Sequence, residues 1–258
     1  MAARCWLRMK FSDALLLLAA GTLGGIFSTA VSIASLVTYP ALLALGVPPL
    51  SANMTNTVSL VFTGASSIVS SRPELAGQGR RVIRLGIITA LGGAAGAAVL
   101  LLTPASTFTL VVPVLIGGAS LVLLVQPRIK RLSGPAGGGN RLVRGVALFA
   151  VAMYVGYFGA AAGVLLLVTL SAMISEPLVR VNAIKNAVSG MANAMAAVCF
   201  ALFGDVRWEF VLPLAAGFLI GGWVGPKIAR RVPAGVLRVV VSLCGLGLAV
   251  KLGISAYR

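Results

Sequence analysis

The sequence predicts an all-α polytopic membrane protein made of two homologous halves arranged as inverted repeats. Each half has a broken or re-entrant first element followed by three transmembrane helices. Three observations predict this. About eight apolar segments follow one another along 258 residues, at 12–46, 50–71, 82–103, 105–126, 142–174, 178–203, 209–229 and 235–254. Cations gather in the short stretches between them, and short motifs of the first half return in the second. With 59% hydrophobic residues, 10% charged ones and a mean hydropathy of +1.04, the chain cannot be a soluble globule around a single core.

The run 12–46 comes first. The opening MAARCWLRMKFSDALLLLAAG has the basic flank and apolar stretch of a signal peptide, but further spans follow, so it reads as the first membrane element. This run and its counterpart 142–174 each exceed thirty residues, whereas one span needs about 20. Small residues occupy the middle of both, as GTLGGIFSTAVSIAS (Gly21 to Ser35) and GYFGAAAG (Gly156 to Gly163). They suggest two half-helices or a re-entrant hairpin, tolerated only where protein or a cavity satisfies the freed backbone. The alternative is one long tilted helix with a glycine packing face.

The segment 50–71 carries a polar stripe of Asn53, Asn56, Ser59, Thr63, Ser66 and Ser70, and 178–203 carries Asn182, Lys185, Asn186, Ser189 and Asn193 at helical spacing. Such stripes belong against each other or a shared cavity. The segments 82–103 and 209–229 contain GGAAG (Gly92 to Gly96) and GGWVG (Gly221 to Gly225), GxxxG patterns that let helices approach closely. Between the halves lies QPRIKRLSGPAGGGNRLVR, Gln126 to Arg144, the one long polar interruption. The chain thus divides into a first transmembrane repeat at 1–127, a basic cytoplasmic linker at 128–141 and a second repeat at 142–258.

The repeat rests on ordered short matches. ANMTNTVS (Ala52 to Ser59) matches NAIKNAVS (Asn182 to Ser189) at an offset of 130, so Asn56 and Asn186 are expected to reach one cavity from equivalent positions. GGAAG matches GGWVG at 129, as does Pro104-Ala105 to Pro233-Ala234, and Gly21 and Gly24 find Gly156 and Gly159 at 135.

Charge sets the orientation. Arg72, Arg80, Arg81 and Arg84 mark one loop, five cations between Arg128 and Arg144 a second, and Lys227, Arg230, Arg231 and Arg238 a third, while FGDVRWEF is net acidic. Eight simple spans would split these basic loops between the two sides. If each broken run returns to its starting side, all three are cytoplasmic and the halves are inverted. The turns Gly204 to Glu209 and Arg230 to Gly235 then lie on opposite sides. The N-terminus, with Arg4, Arg8 and Lys10, falls outside.

Composition also limits function. The balance of 21 Lys and Arg against 5 Asp and Glu would suggest nucleic acid in a soluble chain, but here the cations flank apolar runs, as loops facing anionic membrane lipid do. No nucleic-acid partner is expected. Cys5, Cys199 and Cys244 fit neither a disulfide framework nor a zinc site. There is no histidine, and Asp13, Glu74, Glu176, Asp205 and Glu209 all sit at the ends of apolar runs. An intramembrane enzyme would need such groups at depth, so no enzyme, cofactor or metal is expected. No G-x-x-x-x-G-K-[ST] motif for ATP is present either.

Lys185 is the exception that asks for a reason. Ser175-Glu176-Pro177 reads as a helix start, which puts Lys185 at a depth of about 15 Å, half of a hydrocarbon core of about 30 Å. A lysine there costs about 2.5–3.5 kcal/mol on insertion scales. Either carbonyls exposed at a helix break satisfy its ammonium, or it is the counter-ion of an anionic substrate. In the second case the asparagines and Thr55 donate further hydrogen bonds, and broken helices aim their positive ends at the same place.

Two stretches resemble the sulfite exporter TauE/SafE family. YPALLALGVPPLSANMTNTVSL (Tyr39 to Leu60) is similar to its P-x-L-L-x-x-G-x-P-P-x-x-A-x-x-T-N pattern. Arg180 to Pro233 is similar to its second signature with an N-A-x-K-N core, and QPRIKR (Gln126 to Arg131) extends the likeness over nearly the whole chain. The resemblance implies a multi-pass protein of the cytoplasmic membrane that moves sulfite, organosulfonates or related small anions. The candidate substrate-binding residues are then Lys185, Asn186, Asn182, Thr55 and Asn56, with Ser32, Ser35, Gly159 and Gly163 at the breaks. The chain departs from the family's usual G-G-G-S in reading SIAS (Ser32 to Ser35), and its second break has fewer glycines. A secondary transporter, an exporter, is the leading reading, and a homo-oligomer is compatible with it. A non-transporting scaffold or assembly factor is the other. Direction, coupling ion and the particular anion stay open.

Overall fold

The computed structural model describes residues 10–31, 33–132, 141–229 and 234–257. Among them all regular structure is helical: α1 (Phe11–Val31), α2 (Ser35–Ala44), α3 (Pro49–Ser70), α4 (Arg72–Leu75), α5 (Gly79–Leu102), α6 (Ala105–Leu132), α7 (Arg141–Tyr157), α8 (Ala162–Met173), α9 (Leu178–Phe203), α10 (Trp208–Ala229) and α11 (Ala234–Tyr257). Eight apolar segments become eleven helices because both over-long runs break in two and Arg72–Leu75 forms a separate turn. Five helices are long and apolar enough to cross a membrane, at Phe11–Thr29, Gly79–Leu102, Ala105–Val125, Leu178–Phe203 and Trp208–Gly225.

Both breaks reverse the chain. After α1, α2 folds back so that Thr38 packs on Gly24, and the left-handed Gly46 (φ 78°) turns the chain into Pro48-Pro49, where proline starts α3 without losing a hydrogen bond. After α7, Gly159 (φ 72°) and Ala161 (φ 54°) make the turn into α8, braced by the Tyr154 hydroxyl donating to Ala160 O at 2.9 Å. Tyr39 of α2 and Phe158 at the turn between α7 and α8 meet edge to face, with ring centroids 5.6 Å apart.

Each hairpin packs against the other half. α1 lies along α10 in the same direction, Gly21 against Leu214 and Gly217, Gly25 against Gly221 and Gly222, and Thr29 against Gly225. α7 lies along α5 in the same way, Gly92 against Phe149 and Met153, and Gly96 against Met153 and Tyr157. α3 and α9 cross at Gly64 and Gly190, flanked by α10 on α3 and α5 on α9, and α6 pairs with α11.

Packing and helix starts compare with two of the sequence offsets. Gly221 meets Thr22 O, Gly25 and Ile26 N where Gly92 meets Phe149 O, Ala152 and Met153 N, so the corresponding residues of α1 and α7 are 127 apart, not 135. Glycines recur along α1 at Gly21, Gly24 and Gly25, so the text alone matches in more than one register. α3 and α9 start 129 residues apart, so counted from the helix starts Asn56 falls beside Lys185 and Thr57 beside Asn186, one position from the Asn56 to Asn186 text match.

Two contacts mark the ends of the bundle. At one, Ser51 Oγ donates to Asp205 Oδ2 at 2.9 Å, joining the start of α3 to the turn before α10. At the other, Glu176, just before α9, accepts from Gln78 and Arg81 at the start of α5 (3.2 and 3.3 Å) and from Arg180 at 3.0 Å. The turn before α10 and the end of α10 are separated by the helix itself, about 33 Å at 1.5 Å per residue. Of the predicted Arg230 to Gly235 turn, residues 230–233 lie outside the described residues.

Two outcomes follow from this packing. A Cβ on Gly96 would overlap Met153 O and one on Gly221 would overlap Thr22 O, backbone atoms that cannot step aside, whereas nothing lies within 4 Å of Gly118. Gly96→Ala and Gly221→Ala should each cost about 1–3 kcal/mol, read as a lower thermal midpoint in detergent. Gly118→Ala should not, and equal midpoints for all three would overturn the close-packing assignment. The Arg180 hydrogen bond, helped by Arg81 and Gln78 and opposed by burial, holds the Glu176 carboxyl below its ordinary range. Its stabilising contribution is therefore present above the ordinary carboxylate pKa and is lost as pH falls through the depressed folded value. Wild type should lose thermal stability over that acid window relative to Glu176→Gln; parallel pH profiles would count against the link.

Candidate functional site

Where α3 crosses α9, backbone touches backbone: a Cβ built on Gly64 would come within 2.7 Å of Gly190 Cα. The polar stripes flank this crossing, and the two hairpin tips close over it. Together they line a cavity of about 50 Å³, room for a few waters or one compact ligand. α3 contributes Thr57, Thr63 and Ser67, and α9 contributes Lys185, Asn186, Ser189 and Asn193. Ser28, Ser35, Phe158, Gly159 and Gly163 come from the hairpins.

The breaks create a local electrostatic demand. A helix leaves its last four carbonyls without intrahelical partners and ends with the equivalent of about half a negative charge. α1 and α7 end inside the bundle, where donors must come from the protein or from the few waters the cavity can hold. Asn182 Nδ2 donates to Thr29 O at 3.0 Å and Lys185 Nζ to Ser28 O at 3.4 Å, so two α9 side chains cap α1. Asn53 Nδ2 of α3 donates to Tyr157 O at 2.8 Å and caps α7. Each broken helix is thus capped from the opposite half.

The starts of α2 and α8 have the opposite polarity. Neither has a side-chain N-cap, and Ala34, Ser35, Ala162 and Gly163 all border the cavity. The starts of two helices therefore border the space that Lys185, Asn186 and Asn193 also line. No carboxylate is among its lining residues. Lys185 is only 2% exposed, and the Thr63 hydroxyl is buried without a partner among the described residues. Such a set of donors suits a small anion.

Of the predicted residues, Lys185, Asn186, Ser35, Gly159 and Gly163 come together around the cavity. Asn182 stands behind it as a cap. Asn56 does not line it: it accepts from Thr38 Oγ1 at 2.6 Å and donates to Ser35 Oγ at 3.2 Å, which orients Ser35. Thr55 is turned away, its hydroxyl accepting from Arg207 N at 3.0 Å at the other end of α3's first turns. Ser32 lies outside the described residues. Sequence reasoning missed Ser28, Thr57 and Ser67 as lining groups. The helical spacing of Thr57, Gly64 and Ser67 and the 129-residue register, which sets Thr57 beside Asn186, are the signals that could have found the α3 pair.

Capping and lining make different predictions for chemically similar asparagines. Asn53→Leu leaves Tyr157 O buried and unpaired and should cost about 1–3 kcal/mol of stability. Asn186, with no hydrogen bond to another described residue, should tolerate the same change with little loss in thermal midpoint. Equal losses in the two variants would show that the division into caps and lining is wrong.

The chain was compared with known proteins. A family model described as sulfite exporter TauE/SafE matches residues 15–252. The probable membrane transporter protein ORF9 of a Sinorhizobium species is 22% identical over 221 residues, covering 84% of this chain and 83% of that protein. No solved structure matches the chain. The family match takes in both hairpins, the α3 and α9 crossing and the five apolar helices of spanning length in one multi-pass membrane protein. On that match, nearly the full length of the sequence, the chain belongs to the sulfite exporter TauE/SafE family.

Proposed function

We propose that this protein is a secondary transporter that exports a small anion, sulfite, an organosulfonate or a related sulfur-containing or carboxylate anion, across the cytoplasmic membrane. Transport proceeds by alternating access around the cavity at the α3 and α9 crossing. The observation that carries this is a cavity bordered by a buried ammonium, two side-chain amides and two helix starts, with no carboxylate in its lining. Lys185 is the counter-ion there, Asn186 and Ser35 donate to the anion's oxygens, and Gly159 and Gly163 let backbone approach it. Asn182 and Asn56 hold the cap and Ser35 in place. Thr55 serves the adjoining turn.

The same reading takes residues 1–127 and 142–258 as inverted repeats joined by the basic linker 128–141. The reciprocal packing of α1 on α10 and α7 on α5 supports it, as does reciprocal capping by Asn53 and Asn182. With each hairpin returning to its own end, the arginines at the starts of α5 and α7 share one end, and the turn before α10 lies at the other. The positive-inside tendency assigns the arginine end to the cytoplasm.

A scaffold or assembly factor is the second reading, and one observation favours it: Lys185 already meets Ser28 O, as a purely structural cation would. Flux in liposomes with matched amounts of monodisperse protein separates the two. Lys185→Met should lower sulfite flux tenfold or more, about 1.4 kcal/mol, and Lys185→Arg should keep part of it because the charge survives in a planar fork. Wild-type flux from Lys185→Met would return the lysine to a capping role alone. Absence of saturable flux in wild type for every anion in a sulfite, sulfonate and carboxylate panel would favour the scaffold.

A further inference from the structure

At the end of the bundle defined by Glu176, a second cavity of about 350 Å³ opens between the first turns of α5 and α7 and the end of α8. Arg80, Arg81 and Arg84 of α5 and Arg144 of α7 border it. Arg81 is engaged by Glu176 and Gln78. Arg80, Arg84 and Arg144 pair with no carboxylate among the described residues. Three such guanidinium groups around one hollow favour an anion there.

The rest of the lining says what kind. Leu85, Ile88, Met173 and Ile174 make an apolar wall under the arginines. Beside it Ile83 and Ile87 of α5 and Val143 and Val146 of α7 are exposed on the outer surface, where hydrocarbon chains would lie. A cationic rim continuous with a lipid-facing apolar surface fits an amphiphile better than a free ion. Guanidinium forks match phosphate oxygens in pairs, and the start of the 24-residue α5 adds its positive end. The pocket is also one-sided. At the 129-residue offset Arg80 corresponds to Glu209 and Arg84 to Pro213, so the start of α10 does not repeat the arginine pair of α5.

We propose that this cavity binds the headgroup of an anionic phospholipid, its phosphate held between Arg84 and Arg144 with Arg80 at the rim and its acyl chains against α5 and α7. The site is separate from the central cavity and does not depend on what the protein transports.

The test titrates purified protein in non-ionic detergent with phosphatidylglycerol, phosphatidylcholine or inorganic phosphate, reading saturable binding and the thermal midpoint. Phosphatidylglycerol should bind in preference to phosphatidylcholine, and each arginine removed should weaken it about fivefold, so that Arg84→Gln with Arg144→Gln brings the two lipids to parity. Arg84→Lys with Arg144→Lys should weaken phosphatidylglycerol yet keep the preference, and it serves as the readout if the glutamine pair is not monodisperse. Equal binding of the two lipids to wild type, an unchanged preference in the glutamine pair, or an affinity unaltered in the lysine pair would each overturn the proposal. Inorganic phosphate binding with the same dependence on Arg84 and Arg144 would instead make the cavity a free-anion site and overturn the lipid assignment.

Discussion

Two helices that stop inside an apolar bundle must have their last carbonyls satisfied, and most of this structure follows from that constraint. In hydrocarbon no water can take the place of the missing intrahelical donors. Asn53 supplies one for α7, and Asn182 and Lys185 supply them for α1. Because each donor sits in the opposite half, the halves must interlock and cannot lie side by side as separate bundles. Interlocking in turn brings α1 onto α10 and α7 onto α5 with backbones nearly in contact, and only glycine permits that at Gly96 and Gly221.

The same breaks that expose carbonyls also create new helix starts. α2 and α8 begin beside the α3 and α9 crossing without side-chain caps, and Ser35 and Gly163 of their first turns border the cavity. A helix end that needs cations and a helix start that favours anions thus lie within one small space, and Lys185 stands between them. Capping and anion binding are not exclusive for an ammonium, which carries three donors. The cavity's polarity is a consequence of the architecture before any ligand is considered.

The cations at the arginine end answer to a different environment. Arg81 is tied into the Glu176 cluster and steadies the junction of α5 with α9, while Arg80 and Arg84 on the same turns border the second cavity. One basic segment therefore joins helices and lines a cavity through different side chains. The charge asymmetry of the chain is local: the turn before α10 carries Asp205 paired with Arg207 at 3.3 Å.

The sequence by itself determined the class of the protein, the two breaks and the two polar helices. Each of these depends on local pattern: runs too long for one span with small residues in the middle, and Asn182, Lys185, Asn186, Ser189 and Asn193 at helical spacing. Only the tertiary structure decided what each polar side chain does. Asn53, Asn56, Asn182 and Asn186 are alike in type and sit on matched helices, yet Asn53 and Asn182 cap helices 104 and 153 residues away, Asn56 braces Ser35, and Asn186 lines the cavity. An asparagine reaches only about 3 Å for a hydrogen bond, so its role depends on where the other half's helix end comes to rest. That position follows from glycine contacts whose register, 127 and not 135, is ambiguous in a text that repeats glycine along α1.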